Sequence, residues 1–226
     1  MSKPHTPIWF DIDGTLVHTR VGKDAFREAL EEVFGWKDDF KEVRFAGNTD
    51  LCVLMDFSEK YAGDREKVLS QSSVFFECMA VKLDEGLVDA KPDIVPGAPE
   101  FLAALSQHDH LGLYLLTGNA RECAFHKLRH ADLHHLFEEG GFGDDHADRN
   151  ILAQQTRERV SRTFEHADQG WVIGDTPRDI QAAHTIGAQA IGIASGAYSE
   201  EELSAAGAAL VVEDLRDVDA LLEFLK

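Results

Sequence analysis

Two aspartates near the N-terminus have the type and the spacing to perform chemistry. Asp11 and Asp13 follow the apolar run 8–10, and Gly14 comes directly after them. The run predicts a short buried strand that the glycine ends, so both carboxylates lie at the mouth of that strand. Burying either carboxylate costs several kcal/mol unless it is paired or bound to a metal. The pair therefore indicates a site that needs a nucleophile, a proton donor and a cation ligand.

Two later segments repeat this arrangement of polar side chains after an apolar strand. Thr117 and Asn119 follow one apolar run, and Asp175 and Asp179 follow another. Parallel strands present their carboxyl ends at one edge of a sheet, where open α/β folds bind ligands. Taken singly, each segment is also explained by a turn or by a helix start with a capping side chain. All three in this order favour one shared site.

The C-terminal part of the chain supplies the elements that must position these residues. From residue 92 onward the patterns of helix and strand alternate. Helices are predicted over 99–106, 121–130, 150–166, 177–186, 199–206 and 217–225, and strands over 111–116, 137–142, 171–173, 189–194 and 209–212. Such alternation implies a parallel sheet covered by helices on both faces. The predicted fold class is therefore α/β, with a Rossmann-like core.

Between the first strand and this region, the chain shows helical patterning only. Helices are predicted over 23–34, 51–61 and 64–83, and the proline-rich segment 91–99 reads as a stiff return linker. We therefore predict an α/β core of residues 1–18 and 92–226, with an inserted α-helical cap domain of residues 19–91.

Composition restricts the partners. The 226 residues carry a formal net charge of −19 and are 44% hydrophobic. Nucleic acids and anionic membranes need basic surface, so neither is expected as a partner. No apolar run approaches the ~18 residues of a membrane span, and the N-terminus lacks the apolar core of a signal peptide, so we expect a cytoplasmic protein. An anionic substrate would need a bound divalent cation to reverse the local field.

The residues at the three strand ends resemble the motifs of the haloacid dehalogenase-like hydrolase superfamily. Its first motif matches Asp11-Ile-Asp13-Gly-Thr15, its second matches Thr117, and its fourth matches Gly174-Asp175-Thr-Pro-Arg-Asp179. The order of elements is also similar, and the cap resembles the small helical type of phosphoglycolate phosphatase-like members. The resemblance implies a phosphatase with Mg²⁺ as its cofactor.

The resemblance also implies a role for each carboxylate. Asp11 is the nucleophile, which forms an aspartyl-phosphate, and Asp13 is the general acid/base. Mg²⁺ is held by Asp11, the backbone carbonyl of Asp13 and Asp175, with Asp179 in support. Because a cation between a carboxylate and a phosphate ester removes their mutual repulsion, the implied chemistry is physically consistent.

Further residues are candidates for substrate binding. Thr117 and the backbone of Gly118 and Asn119 can hydrogen-bond phosphoryl oxygens at a helix start. In the cap, Arg44 or Asn48 could meet the far end of the substrate. The alternative for the segment 44–50 is a plain loop in which Asp50 caps the next helix.

The third motif of the family departs from its usual form, a lysine before the fourth strand. The candidate in this chain is Arg149, because a guanidinium suits a phosphate oxygen as well as a lysine does. The alternative is a surface residue paired with Asp144 or Asp148.

The leading function is therefore hydrolysis of a small phosphate monoester, phosphoglycolate-like or a sugar phosphate, by a monomer or homodimer. The presence of Asp13 favours phosphoryl transfer over dehalogenation, because a departing halide needs no proton donor. The alternatives are a sugar phosphomutase, whose core chemistry is shared, and a non-catalytic binding module.

Overall fold

A six-stranded sheet forms the centre of the molecule in the computed structural model, which describes residues 6–137, 139–162 and 170–225. The strands of the chain are β1 (Thr6–Phe10), β2 (Val17–His18), β3 (Asp93–Ile94), β4 (Leu111–Leu116), β5 (Gly140–Gly141), β6 (Trp171–Gly174), β7 (Gln189–Ile193) and β8 (Leu210–Val212). In the large sheet the order is β5-β4-β1-β6-β7-β8, and every neighbouring pair is parallel. The predicted α/β fold class is confirmed.

Helices cover both faces of this sheet. They are α1 (Gly22–Phe34), α2 (Asp50–Lys60), α3 (Arg65–Ser70), α4 (Ser72–Asp89), α5 (Ala98–Leu105), α6 (Arg121–His130), α7 (Arg149–Ser161), α8 (Pro177–Thr185), α9 (Glu200–Ala205) and α10 (Val218–Phe224). Successive side chains of β1 point to opposite faces. On one face, the ring of Phe10 lies 6.3 Å from that of Phe101 in α5, and on the other, Trp9 belongs to the same apolar cluster as Ile180 of α8. Within the described residues, no helix has both the length and the apolar character that crossing a bilayer requires.

The first four helices, α1 to α4, form a separate group between β2 and β3. They have their own apolar cluster, in which Phe26 contacts the rings of Phe57 and Phe75 at centroid distances of 5.9 and 4.9 Å. This cluster also includes Ala120, which directly precedes α6, and Cys123 in the first turn of α6. The group is therefore a helical layer that rests on one helix of the α/β core.

The chain enters and leaves this helical group through one short ribbon. Val17 of β2 pairs with Ile94 of β3, and His18 pairs with Asp93, in antiparallel fashion. The segment 91–99 was expected as a linker without strand structure, so β3 corrects that expectation. Two-residue strands carry no alternating pattern, which is why the sequence does not reveal them.

One predicted helix of the cap is in fact two. The expected helix over 64–83 is interrupted at Gln71, which ends α3 and precedes α4. On either side, the hydroxyls of Ser70 and Ser72 donate to the carbonyls of Lys67 and Leu69. Short polar side chains that bond to nearby backbone in this way compete with helix continuation.

One helix and one strand of the core also differ clearly in extent from expectation. The helix predicted over 150–166 begins at Arg149 because the Asp148 side chain accepts hydrogen bonds from the backbone N–H groups of Asn150 and Ile151, and it ends at Ser161. The end predicted for it lies outside the described residues. The strand predicted over 137–142 is reduced to β5, Gly140–Gly141.

Candidate active site

The polar residues that follow three neighbouring strands lie at the same edge of the sheet. Asp11 follows β1, Thr117 follows β4 and Asp175 follows β6, and β1 lies between the other two strands. The backbone N–H of Asp11 donates to the carbonyl of Ile173 at 2.9 Å, which continues the pairing beyond the strand. Asp11 and Asp175 line a cavity of about 470 Å³ between the sheet edge and the helical group.

The centre of the site is a cluster of buried carboxylates. One oxygen from each of Asp11, Asp175 and Asp179 lies within 4.8 Å of the others, and all three residues are buried. Burial and the nearby carboxylates raise the pKa of Asp175 to about 9, and burial together with Asp179 raises the pKa of Asp11 to about 6. Oδ1 of Asp175 is buried without a hydrogen-bond partner. Closely spaced carboxylate oxygens with an unsatisfied buried acceptor fit a divalent cation that prefers oxygen ligands, such as Mg²⁺.

Two glycines make room for the Asp175 carboxylate. A Cβ atom on Gly14 would lie 2.2 Å from Oδ2 of Asp175, and one on Gly196 would lie 1.8 Å from the same atom. Gly14 also has a φ of +78°, a conformation that residues with a side chain rarely adopt. Any other residue at these positions would displace the carboxylate from the cluster.

Arg149 supplies the positive charge that faces this cluster. It begins α7 and is 5% exposed. Its Nη2 atom lies 3.2 Å from Oδ1 of Asp11 and donates hydrogen bonds to Asp179 and to the carbonyl of Leu116. The alternative of a surface residue is wrong, and Asp148, one of the partners that it named, caps α7 instead.

Asp179 orients its neighbours. Its Oδ1 accepts from Arg149, and its Oδ2 accepts from the backbone N–H of Thr176 at 3.0 Å and from the Thr176 hydroxyl at 2.7 Å. These bonds form a capping box at the start of α8. Because both carboxylate oxygens are engaged, Asp179 is placed to hold Arg149 and the loop after β6.

Asp13 lies beside the cluster and faces the cavity, with 41% of its side chain exposed. Its Oδ1 accepts from the Thr19 hydroxyl at 2.9 Å, and its Oδ2 accepts from Nδ2 of Asn119 at 2.8 Å and Nζ of Lys127 at 2.5 Å. Burial acts to raise the pKa of Asp13, but the Lys127 ammonium and these hydrogen bonds hold it below its usual range.

The sequence motifs do not identify Lys127 as a site residue. It lies on α6 and is 5% exposed, although lysines are seldom fully buried. A signal was available: Cys123 and Ala124, one helical turn earlier, predict a buried face that includes position 127. This pattern predicts that Lys127 is buried, but it does not predict that Asp13 is its partner.

The loop between β4 and α6 was expected to bind substrate. Asn119 does not cap α6, whose N-cap is Ala120; its side chain instead donates to Asp13 and, at 2.8 Å, to the Thr117 hydroxyl. The hydrogen bond between Thr117 and Asp11 acts to lower the pKa of Asp11. Gly118 and Asn119 both line the cavity.

The cap contributes one of its two candidate substrate residues to the cavity. Asn48 lines it together with Phe26, Phe45 and Met79, and the Asn48 amide donates to the backbone carbonyl of Arg44 at 2.7 Å. Arg44 does not line this cavity but lines a separate surface hollow, which Asn48 also borders. The structure therefore brings Asn48, but not Arg44, to the site.

Backbone hydrogen bonds hold this cap loop against the core. The N–H of Asp50 donates to the carbonyl of Gly118 at 2.7 Å, and the N–H of Leu51 donates to that of Gly143 at 3.1 Å. The Asp50 carboxylate accepts from the N–H of Ala120 at 2.7 Å. Cap and core are therefore joined next to the residues that follow β4.

The loop alternative predicts that Asp50 caps the next helix, and this prediction is wrong. The Thr49 hydroxyl caps α2 by accepting from the N–H of Cys52, and Asp50 lies inside the helix. The Asp50 side chain is buried between cap and core, and burial raises its pKa to about 7.

Comparison with known proteins shows the family and fold to which this chain is similar. A family model described as haloacid dehalogenase-like hydrolase matches residues 8–187. Phosphoglycolate phosphatase from Rhodospirillum rubrum is 27% identical over 221 residues, which are 95% of this chain and 90% of that protein.

Solved structures share the fold over nearly the whole chain. A hydrolase from Pseudomonas syringae has 24% identity and a TM-score of 0.70, with 98% of this chain and 99% of that chain covered. CbbY from Rhodobacter sphaeroides, in complex with phosphate, has 17% identity and a TM-score of 0.64, with 95% and 96% covered.

Proposed function

Because the chain belongs to the haloacid dehalogenase-like hydrolase family and its relatives support a phosphatase, we propose that it hydrolyses a small phosphate monoester with the help of Mg²⁺. The observation that carries the proposal is the convergence of Asp11, Asp13, Arg149 and Asp175 on one cavity. A volume of about 470 Å³ suits a small phosphorylated metabolite. The phosphoglycolate phosphatase relative favours a phosphoglycolate-like ester or a sugar phosphate.

Asp11 is the proposed nucleophile. Its carboxylate attacks phosphorus and forms an aspartyl-phosphate, which divides one difficult displacement into two easier ones. Attack requires the ionised form, and the Arg149 guanidinium at 3.2 Å favours that form against the burial that raises the pKa of Asp11. Mg²⁺ held by Asp11, Asp175 and the backbone carbonyl of Asp13 would offset the repulsion between carboxylate and phosphate.

Asp13 is the proposed general acid and base. It faces the cavity, where it can take a proton from the water that attacks the aspartyl-phosphate, as its lowered pKa favours, and where its protonated form can give a proton to the leaving oxygen. Thr117 and the backbone after it would bind the phosphoryl oxygens. We also propose a monomer or homodimer that acts on free metabolites.

The first test is phosphate release from a panel of small esters, with and without Mg²⁺, by wild type and Asp11→Asn. We expect release that depends on Mg²⁺ and is lost in Asp11→Asn for every ester. If wild type releases no phosphate from any ester of the panel, hydrolysis of those esters is excluded. Sugar phosphates should then be assayed for mutase activity, and failure there would favour the non-catalytic binding module.

A second test separates the two aspartates. Asp13→Asn should reduce the turnover of alkyl esters by roughly 10²-fold or more and that of aryl esters much less, because an aryl leaving group needs little proton donation. Equal losses on the two kinds of ester would exclude Asp13 as the acid.

A further inference from the structure

Lys127 is a buried ammonium whose partners both belong to the site. Its Nζ atom lies 2.5 Å from Oδ2 of Asp13 and 2.6 Å from Oδ1 of Asn119. Withdrawing an ammonium from water is costly unless it is paired and hydrogen-bonded. The contacts with Asp13 and Asn119 therefore compensate for the burial of this ammonium.

These contacts fix the direction of the Asp13 side chain. Lys127 and Asn119 both donate to Oδ2, and Thr19 donates to Oδ1. The Asn119 amide also donates to the Thr117 hydroxyl, so the acid/base and the proposed phosphoryl-binding residue belong to one hydrogen-bonded chain. The carboxylate is restrained by three donors and is still open to the cavity.

Among the described residues, Lys127 is the ion-pair partner of Asp13. Arg149, the other buried cation of the cavity wall, is engaged by Asp11 and Asp179. Removal of the Lys127 ammonium would leave Asp13 with two neutral donors and no charge to hold it near α6.

We infer that Lys127 is a positioning residue, which holds the Asp13 carboxylate where it exchanges protons with the leaving group and the attacking water. The inference rests on the proposed function. Asn119 keeps its hydrogen bonds to Asp13 and Thr117 when Lys127 is removed. Removal of Lys127 should therefore impair the steps that need proton transfer by Asp13 and leave phosphoryl binding unchanged.

The test uses Lys127→Met, Lys127→Arg, Asp13→Asn and the double variant Asp13→Asn/Lys127→Met. The substrates are para-nitrophenyl phosphate and the alkyl ester that wild type cleaves best. We expect Lys127→Met to lower kcat for the alkyl ester by roughly 10- to 100-fold, with a much smaller loss for the aryl ester and an unchanged KM for both. The double variant should be no slower on the alkyl ester than Asp13→Asn, and Lys127→Arg should recover most of the loss.

Arg129→Met is the matched control, because Arg129 is an exposed cation on the same helix. It should leave both esters unaffected. Thermal unfolding of each variant reports whether it folds. If Lys127→Met does not fold, Lys127→Arg decides, since a positioning role confines whatever loss it shows to the alkyl ester.

Two results would overturn the inference. Equal losses on both esters that add to the effect of Asp13→Asn would mean that Lys127 only stabilises the fold. If wild type cleaves neither ester, the proposed function itself is contradicted, and this result is known before any variant is compared.

Discussion

At the scale of single residues, the site is a balance between buried carboxylates and few cations. Asp11, Asp175 and Asp179 lie together, and among the described residues Arg149 is the cation that contacts two of them. Removing one partner of a buried ion pair costs about 3–5 kcal/mol, because the other charge stays buried. Arg149 therefore has a structural as well as a chemical role.

Arg149→Ala is expected to lower both activity and stability. It should raise KM and reduce kcat for phosphate esters, and it should lower the free energy of unfolding by about 3–5 kcal/mol, because Asp11 and Asp179 lose their counter-charge. Steady-state kinetics and denaturant unfolding measure the two effects.

Arg159→Ala is the control, since Arg159 lies on the same helix in a partly exposed pair with Asp145. It should cost less than about 1 kcal/mol. An unchanged kcat/KM in Arg149→Ala would remove Arg149 from the site.

At the scale of elements, the junction between cap and core depends on a buried carboxyl group. Asp50 accepts from the N–H of Ala120 at the start of α6 while its own N–H donates to Gly118. Burial raises the pKa of Asp50 to about 7, so the folded protein holds this proton more tightly than the unfolded chain does. The stability of the junction should therefore fall as pH rises from about 4 through 7.

Asp50→Asn removes this ionisation and keeps an acceptor oxygen for Ala120. Its Tm relative to wild type should increase between pH 5 and pH 8, because its free energy of unfolding relative to wild type should rise by on the order of 2–4 kcal/mol over that range. Thermal unfolding at several pH values measures it, with Glu77→Gln, an exposed position on α4, as control. A difference between wild type and Asp50→Asn that does not vary with pH would contradict the raised pKa.

The sequence predicts elements better than it predicts contacts between them. The alternation after residue 92 gives the parallel sheet, and the motif at Asp11 and Asp13 leads to the family, because both signals are local in the chain. The partners of Lys127 and Asp50 depend on how α6 packs against the first strand and the cap loop, 114 and 70 residues away in sequence. Such pairings are set by tertiary packing, so local patterns do not contain them.

At the scale of the whole molecule, acidic residues outnumber basic ones by 41 to 22. The formal net charge of −19 favours unfolding through self-repulsion, and the buried cluster concentrates that repulsion in one place. Salt weakens the general repulsion, whereas a cation bound by the cluster acts at the site alone.

Mg²⁺ should therefore raise the Tm of wild type more than NaCl at equal ionic strength does. At 100 times its Kd the ion contributes about 2.7 kcal/mol, which corresponds to a rise of roughly 5–10 °C for a chain of this size. Differential scanning calorimetry measures the shift. Asp175→Asn should respond equally to the two salts, and a Mg²⁺ effect that survives in this variant would place the ion elsewhere.

The position of β1 in the sheet has a consequence for biosynthesis. β1 is made first, yet its neighbours β4 and β6 begin at Leu111 and Trp171, with the helical group in between. The ribosome thus completes the central strand about a hundred residues before a partner for it exists. Until then an apolar strand is exposed on the nascent chain, in the form that chaperones protect from aggregation. Pairing of β1 in the sheet must therefore wait until the whole helical group has been synthesised.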